Sequence, residues 1–215
     1  LVGVCDLFDV NAELGLDASQ NDVRPGRKSN GSATRYRHYS ELLAQDDIDA
    51  VIVATPDHWH SRITIDAAKA GKHVYCEKGL TRTFQQALDV YDTIKETGMI
   101  LQLGHQNRQV EANDKAKRII DQGLLGPINL VELTTNRNSP WGAWVWNIHK
   151  DGNNKTIDWD LFQEPSPNKI PFGEEALKRF FRWRCWYDYG TGLSGDLFSH
   201  DYDALNQILG MGIPK

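Results

Sequence analysis

The chain has 215 residues, enough for one large domain or two small ones, and its 40% apolar and 25% charged residues are those of an ordinary globular protein rather than a disordered one. Lysine and arginine number 24 against 29 acidic residues, a net charge of −5 with the basic side chains scattered, which argues against nucleic acid or an anionic membrane as partner. No apolar run reaches membrane-spanning length, and Cys5, Cys76 and Cys185 form neither a disulfide framework nor a zinc pattern.

The sequence opens without methionine on Leu1-Val2-Gly3-Val4-Cys5, a strand signal, and closes on Gly210 to Lys215 directly after a helical pattern. It therefore reads as an internal piece of a longer chain, and its compartment, cytoplasmic or exported, stays open. A helix is expected from about Asn11, then a polar loop over 17–32. Ser40 is expected to cap a short helix over 41–45. The continuous β-branched run Ala50-Val51-Ile52-Val53-Ala54 predicts a strand buried on both faces, ended by Thr55-Pro56. Ile63, Ala67 and Ala70 lie on one helical stripe that stops at Gly71, and a short strand follows over 73–76. Thr83 and Gln86 have capping-box spacing ahead of a helix carrying Phe84, Ala87, Leu88, Tyr91 and Ile94, which ends at Gly98; 99–103 is a further strand. Strands alternating with helices predict βαβ units, a parallel sheet and helices on both its faces.

The second half changes character. Ala112, Ala116, Ile119 and Ile120 predict a helix ending near Gly123, 128–135 reads as a strand, and 193–209 as a helix. Between 136 and 190 periodicity is weak, yet six of the seven tryptophans fall there (Trp141, Trp144, Trp146, Trp159, Trp183 and Trp186). That density suits a sugar-binding wall, because indole faces pack on pyranose C–H faces, and equally suits a core. The domain boundary is placed near residue 108, giving an N-terminal domain over 1–108 and a second over 109–215.

Ligands of open parallel sheets bind outside the carboxyl ends of the strands, so the residues just after each predicted strand carry the functional reading. They are Asp6; Thr55, Pro56, Asp57, His58 and His60; Glu77 and Lys78; and His105, Gln106 and Arg108. Asp6 suits the acid that binds an adenosine ribose, which favours NAD over NADP, and suits a helix cap as well. Lys78 could polarise a substrate hydroxyl or lie solvated at the surface. Asp196 and His200, four apart on a predicted helix, meet on one face, where a carboxylate could orient a general base. Asp203 and Gln207 continue that stripe. His58-x-His60 lacks an identifiable third ligand, so no metal is expected.

Taken together, Ala54-Thr55-Pro56-Asp57-His58-Trp59-His60, Cys76-Glu77-Lys78, and Gly195-Asp196 with His200 and Asp203 resemble the Gfo/Idh/MocA oxidoreductase superfamily, which includes glucose–fructose oxidoreductase and inositol 2-dehydrogenase. The resemblance implies an α/β fold: an N-terminally incomplete, doubly wound Rossmann domain, then the first part of an α/β domain with an open, mostly antiparallel sheet that often mediates homo-oligomers. The glycine-rich phosphate loop and its strand would lie upstream, and this piece alone is expected not to bind the dinucleotide normally. By resemblance Asp6, Thr55, Pro56, His58, His60, Glu77, Lys78 and Gln106 hold NAD. Lys78, Asp196 and His200 are catalytic, and they bind substrate together with Trp183, Arg184 and Tyr187. Gly79 replaces the proline of the family's Glu-Lys-Pro motif, which is expected to loosen the backbone beside Lys78.

The activity so implied is hydride transfer between nicotinamide and a secondary alcohol of a sugar, sugar derivative or cyclitol. An NAD-dependent redox-cycling glycoside hydrolase of the same superfamily and a catalytically silent dinucleotide- or sugar-sensing domain are the alternatives.

Overall fold

The computed structural model describes residues 1–20, 31, 33–135 and 142–212. Strands β1 (Gly3–Cys5) and β2 (Thr34–Tyr36) pair in parallel, Gly3 opposite Thr34 and Cys5 opposite Tyr36. Strands β3 (Ala50–Val53), β4 (His73–Glu77) and β5 (Leu101–Gly104) make a second parallel sheet in that order, with Val53 opposite Cys76 and Cys76 opposite Leu103. The connections carry helices α1 (Asp9–Ser19), α2 (Tyr39–Leu43), α3 (Asp57–Lys69) and α4 (Phe84–Thr97), so the strand–helix alternation read from the sequence is the observed one. Most of the expected 17–32 loop lies outside the described residues; Asp17 to Ser19 end α1.

Helix α3 shows why these segments hold. Pro56 presets the backbone ahead of its first turn, Asp57 and Lys69 complement the helix dipole at opposite ends, and Ile63 and Ala67 face the core with Val53, Val74, Cys76 and Trp59. Helix α4 ends on Gly98 at φ 67°, the left-handed turn glycine adopts without a Cβ penalty.

Several local expectations are corrected. The cap of α2 is His38, whose Nδ1 accepts from the Ser40 N–H at 3.1 Å while the Glu41 carboxylate accepts from the His38 N–H at 3.3 Å. An imidazole nitrogen is a less common cap than a hydroxyl, so the serine drew the eye. At α4 Thr83 does accept from the Gln86 N–H at 3.1 Å, but the Gln86 side chain turns to the Arg82 N–H at 2.7 Å, so the box is half made. Strand β3 is not buried on both faces: Ile52 is 75% exposed, because β3 is an edge strand and no hydrogen bonds join it to β1. The facing edges of β1 and β3 instead line a cavity of about 1440 Å³.

Beyond β5, helix α5 (Glu111–Asp121) lies against helix α8 (Ser199–Leu209). The strand expected over 128–135 is not formed; Leu130 is largely exposed, and no strand lies beside it among the described residues to complete a ladder. Nor do the described residues after Gly104 build the antiparallel sheet that the resemblance implies; their one bridge pairs Ile157 with Phe8. The helix expected over 193–209 is divided into a π-helical turn, Ser194–Phe198, and α8. Short helices α6 (Trp159–Phe162) and α7 (Glu174–Phe181) frame an aromatic core of Phe8, Ile157, Trp159, Phe162, Ala176 and Tyr189.

Candidate functional site

The carboxyl ends of β1, β3 and β4 open onto the same cavity. Asp6, Thr55, Pro56, His60, Glu77, Lys78, Trp183 and Arg184 all line it. Asp6 accepts the Phe8 N–H at 2.8 Å in the turn ahead of α1, whose N-cap is Phe8 without a side-chain cap, so Asp6 is not the helix cap and stands at the cavity wall; burial pushes its carboxyl up and the Phe8 N–H pulls it back. The Thr55 hydroxyl is buried with no hydrogen-bond partner among the described residues.

His60, 1% exposed, ties two turns together: Nε2 lies 2.6 Å from the Thr55 carbonyl oxygen and Nδ1 3.0 Å from that of Gly79. Gly79 has φ 39°, in the left-handed region, and a Cβ there would lie 3.0 Å from the Asp57 carboxyl carbon. The backbone beside Lys78 is therefore gripped by His60 and pressed by Asp57, and the looseness expected of glycine in place of proline is not what is seen. Asp57 is itself buried, accepts from the Thr191 N–H at 3.0 Å and its hydroxyl at 2.6 Å, and is pushed up by burial against those bonds.

Lys78 and Asp196 pair directly, their side chains 13% and 5% exposed, and Arg184 Nε donates to the same Asp196 oxygen at 3.1 Å. Burial raises the Asp196 carboxyl, but the hydrogen bonds and charges of Lys78 and Arg184 outweigh it and hold the group below the ordinary carboxylate range. The Arg184 guanidinium also lies 4.1 Å from the centre of the Trp183 ring. The expected Asp196–His200 pair is not made. The π turn swings Asp196 toward Lys78, and buried His200 Nδ1 has no hydrogen-bond partner among the described residues. Burial, then the charges of Lys78 and His105, hold the His200 imidazole below its ordinary pKa.

Five predicted site residues are not part of the cavity wall: Asp196 and His200, which stand behind Lys78, and His58, Gln106 and Tyr187. His58 turns into the aromatic core, where its Nε2 lies 2.7 Å from the Phe162 carbonyl oxygen, so it is a strut between the two halves. Gln106 donates to Glu77 at 3.2 Å, behind the end of β4. The Tyr187 ring is 84% exposed, while its carbonyl and that of Asp188 accept from Arg82. Of the six tryptophans in the second half, Trp159 is buried, Trp186 packs on the aromatic core and Trp146 is more than half exposed; among those six that are described only Trp183 lines the cavity, where Trp59 of the first half joins it, and Trp141 lies outside the described residues. The sequence reading named Asp57 among the residues after β3 without giving it a role, and passed over Arg82. Asp57 was visible at the head of α3, but its partner Thr191 is 134 residues away, a separation no local pattern reports.

Residues 9–105 match the model of an oxidoreductase family described as an NAD-binding Rossmann fold. Those residues belong to the Gfo/Idh/MocA family. Levoglucosan dehydrogenase of Pseudarthrobacter phenanthrenivorans is 34% identical over 122 residues, 57% of this chain and 29% of that protein. The scyllo-inositol 2-dehydrogenase (NAD(+)) of Bacillus subtilis is 39% identical over 106 residues, 49% of this chain and 31% of its own. An oxidoreductase domain protein from Kribbella flavida superposes with a TM-score of 0.62 over 98% of this chain and 45% of its own; at 22% identity it speaks to the fold alone. The chain thus spans about a third of the two curated dehydrogenases it matches here. The cavity suits the family's NAD on two counts: an acid ends β1 where a ribose needs an acceptor, and an orphaned hydroxyl, Thr55, ends β3.

Proposed function

We propose that the protein oxidises a secondary alcohol of a sugar, sugar derivative or cyclitol, or runs the reverse reduction, with NAD rather than NADP. The observation that carries this reading is the cluster of Lys78, Asp196, Arg184 and His200 beside the carboxyl end of β4, of which Lys78 and Arg184 line the same cavity as Asp6 and Thr55. NAD, when bound, accepts the hydride. Asp6 would hold its ribose, with Thr55, Pro56, His60 and Glu77 lining the remaining wall. Lys78 places an ammonium where a substrate hydroxyl gathers negative charge as its proton leaves. His200, kept neutral by burial and by positive neighbours, is free to take that proton. Asp196 holds Lys78 and Arg184 together, and Arg184 with Trp183 offers a donor and an apolar ring face to the rest of the sugar.

The test uses the protein at its natural length, NAD, and a panel of sugars, cyclitols and aryl glycosides, following nicotinamide absorbance and aglycone release together. Net NADH with a free sugar or cyclitol is expected. Lys78→Ala and His200→Ala are each expected to lower turnover about a hundredfold or more while NAD affinity stays within a few-fold. Aglycone release without net NADH would move the assignment to a redox-cycling glycosidase, and wild-type rates in both variants would remove these residues from the chemistry.

A further inference from the structure

Asp57 heads α3, where a carboxylate complements the helix dipole, but its side chain also serves two segments outside that helix. It is 2% exposed. On one side is Gly79, the residue after Lys78, so close that a Cβ there would lie 3.0 to 3.2 Å from the Asp57 carboxyl carbon and both its oxygens. On the other is Thr191, whose N–H and hydroxyl both donate to Oδ2, at 3.0 and 2.6 Å. Thr191 in turn packs on Gly195, the residue before Asp196. The Gly195 N–H is 3.4 Å from the Thr191 carbonyl oxygen, and a Cβ on Gly195 would collide with the Thr191 side chain. One buried carboxylate thus touches the turn that carries Lys78 and the residue that seats Asp196, although these two partners are 118 residues apart in the chain.

We propose that Asp57 is a positioning residue, whose carboxylate sets the Lys78 ammonium against the Asp196 carboxylate by fixing the segment that carries each. The ion pair does not do this by itself. A lysine is a point charge on a flexible four-carbon stem and meets a carboxylate from many directions, so its place depends on the backbone behind it. A hydroxyl bonded to a carboxylate is short and directional by comparison, and it holds Thr191 in one orientation under Gly195. The end of α3 is a firm anchor for both contacts. The His58 N–H donates to the Tyr189 carbonyl at 3.1 Å, two residues before Thr191, and the His60 ring bridges the carbonyls of Thr55 and Gly79. Being buried, Asp57 acts through Thr191 and Gly79 rather than on substrate. Displacing a reacting group by about 1 Å can lower a rate about a hundredfold, so the placement matters to the chemistry. That consequence rests on the dehydrogenase reading; the placement of Lys78 against Asp196 does not.

The first readout needs no substrate. The protein at its natural length is treated with a trace of acetic anhydride, and acetylation of Lys78 is followed by peptide mass spectrometry against that of Lys115, whose side chain is 60% exposed. In the wild type Lys78 is expected to react more slowly than Lys115. Thr191→Val removes the hydroxyl at nearly constant shape and should raise the Lys78 to Lys115 ratio about threefold or more, as the loss of one hydrogen bond to a charged group would. Thr191→Ser keeps the hydroxyl and should restore the wild-type ratio. Asp57→Ala should raise it at least as far; where circular dichroism shows that variant unfolded, the two Thr191 variants decide. A merely structural role would lower the stability of Thr191→Val and leave the ratio in the folded protein unmoved. An unmoved ratio overturns the proposal, as does a wild type in which Lys78 reacts as fast as Lys115, a reading that needs no variant to fold. If the protein proves to be a dehydrogenase, Thr191→Val should lower kcat about tenfold while KM for the sugar and NAD affinity stay within about threefold, and an unchanged kcat overturns the proposal too. Absence of activity in the wild type, with Lys78 released in Thr191→Val, would fail the dehydrogenase reading alone.

Discussion

His58 shows how one residue's surroundings decide its role. It stands in a segment rich in polar groups, after a strand, where a ligand-binding histidine is expected. Yet its ring is 3% exposed, edge-on to Phe162 and Tyr189, and shares the Phe162 carbonyl oxygen with the Trp59 indole N–H at 3.0 Å. Burial, only partly offset by the contact with the Phe162 carbonyl, pushes its pKa from 6.5 to about 4. The folded protein thus refuses a proton that the unfolded chain accepts between these values, so stability is full above about 6.5, falls with acid through the window, and loses nothing further from this residue below about 4. At 1.36 kcal/mol per unit the loss is of the order of 3 kcal/mol. Urea unfolding at pH 7 and pH 4.5 should show a steeper acid loss in the wild type than in His58→Gln. Equal losses would mean that the buried ring accepts its proton without unfolding.

At the scale of the element, the short π-helical turn before α8 decides where Asp196 points. A Cβ on Gly195 would lie 2.1 Å from the Thr191 hydroxyl oxygen and 2.2 Å from its Cβ, so the close approach of this turn to Thr191 requires glycine. Thr191 in turn holds the buried Asp57. Gly195→Ala is therefore expected to displace Thr191, leave the Asp57 carboxylate short of donors and lower the unfolding free energy by about 2 kcal/mol or more. The unfolding free energy in urea checks this; a change below about 0.5 kcal/mol would mean that the turn can move aside freely. This element also marks where sequence reading stops. Periodicity located β3, α3 and α4, which pack on one another as neighbours along the chain, and α5 by its apolar stripe although its partner α8 is distant in sequence; the residues that end β1, β3 and β4 followed from strand direction alone. The i, i+4 rule then paired Asp196 with His200, since it assumes a regular helix; one π turn breaks the assumption and gives Asp196 to Lys78, 118 residues away. On α4 the apolar stripe was legible but not its burial: Val90 is buried, while Phe84 and Tyr91 of the same stripe are 80% and 62% exposed.

At the scale of the whole molecule, the polar sites depend on the second half packing back onto the first, and Phe8 is the point where this happens. It is extended ahead of α1, bridges to Ile157 in antiparallel fashion, and is flanked by the Asp9 N–H on the Thr156 carbonyl and the Asp158 N–H on that of Leu7, both at 2.9 Å. Its ring, 2% exposed, meets Phe180 and Phe181 edge-on at 6.1 and 5.4 Å. Further ties cross the same divide, among them His58 to Phe162, Asp57 to Thr191, Lys78 to Asp196, Arg62 to Glu164 at 2.7 Å, and Arg82 to the carbonyls of Tyr187 and Asp188. Arg62 and Glu164 are half exposed, so that pair adds little; the buried ring carries most of the energy. Phe8→Ala should cost about 3–5 kcal/mol, the range for emptying a filled aromatic site. One tryptophan, Trp59, lies in the first half and the other six in the second, so tryptophan fluorescence reports mainly on the second half and far-ultraviolet dichroism on both. If Phe8 joins them into one folding unit, the two signals coincide in the wild type and move down together in the variant. A fluorescence transition that separates from the dichroism in the wild type would mean that the aromatic core folds on its own, and that Phe8 merely docks against it.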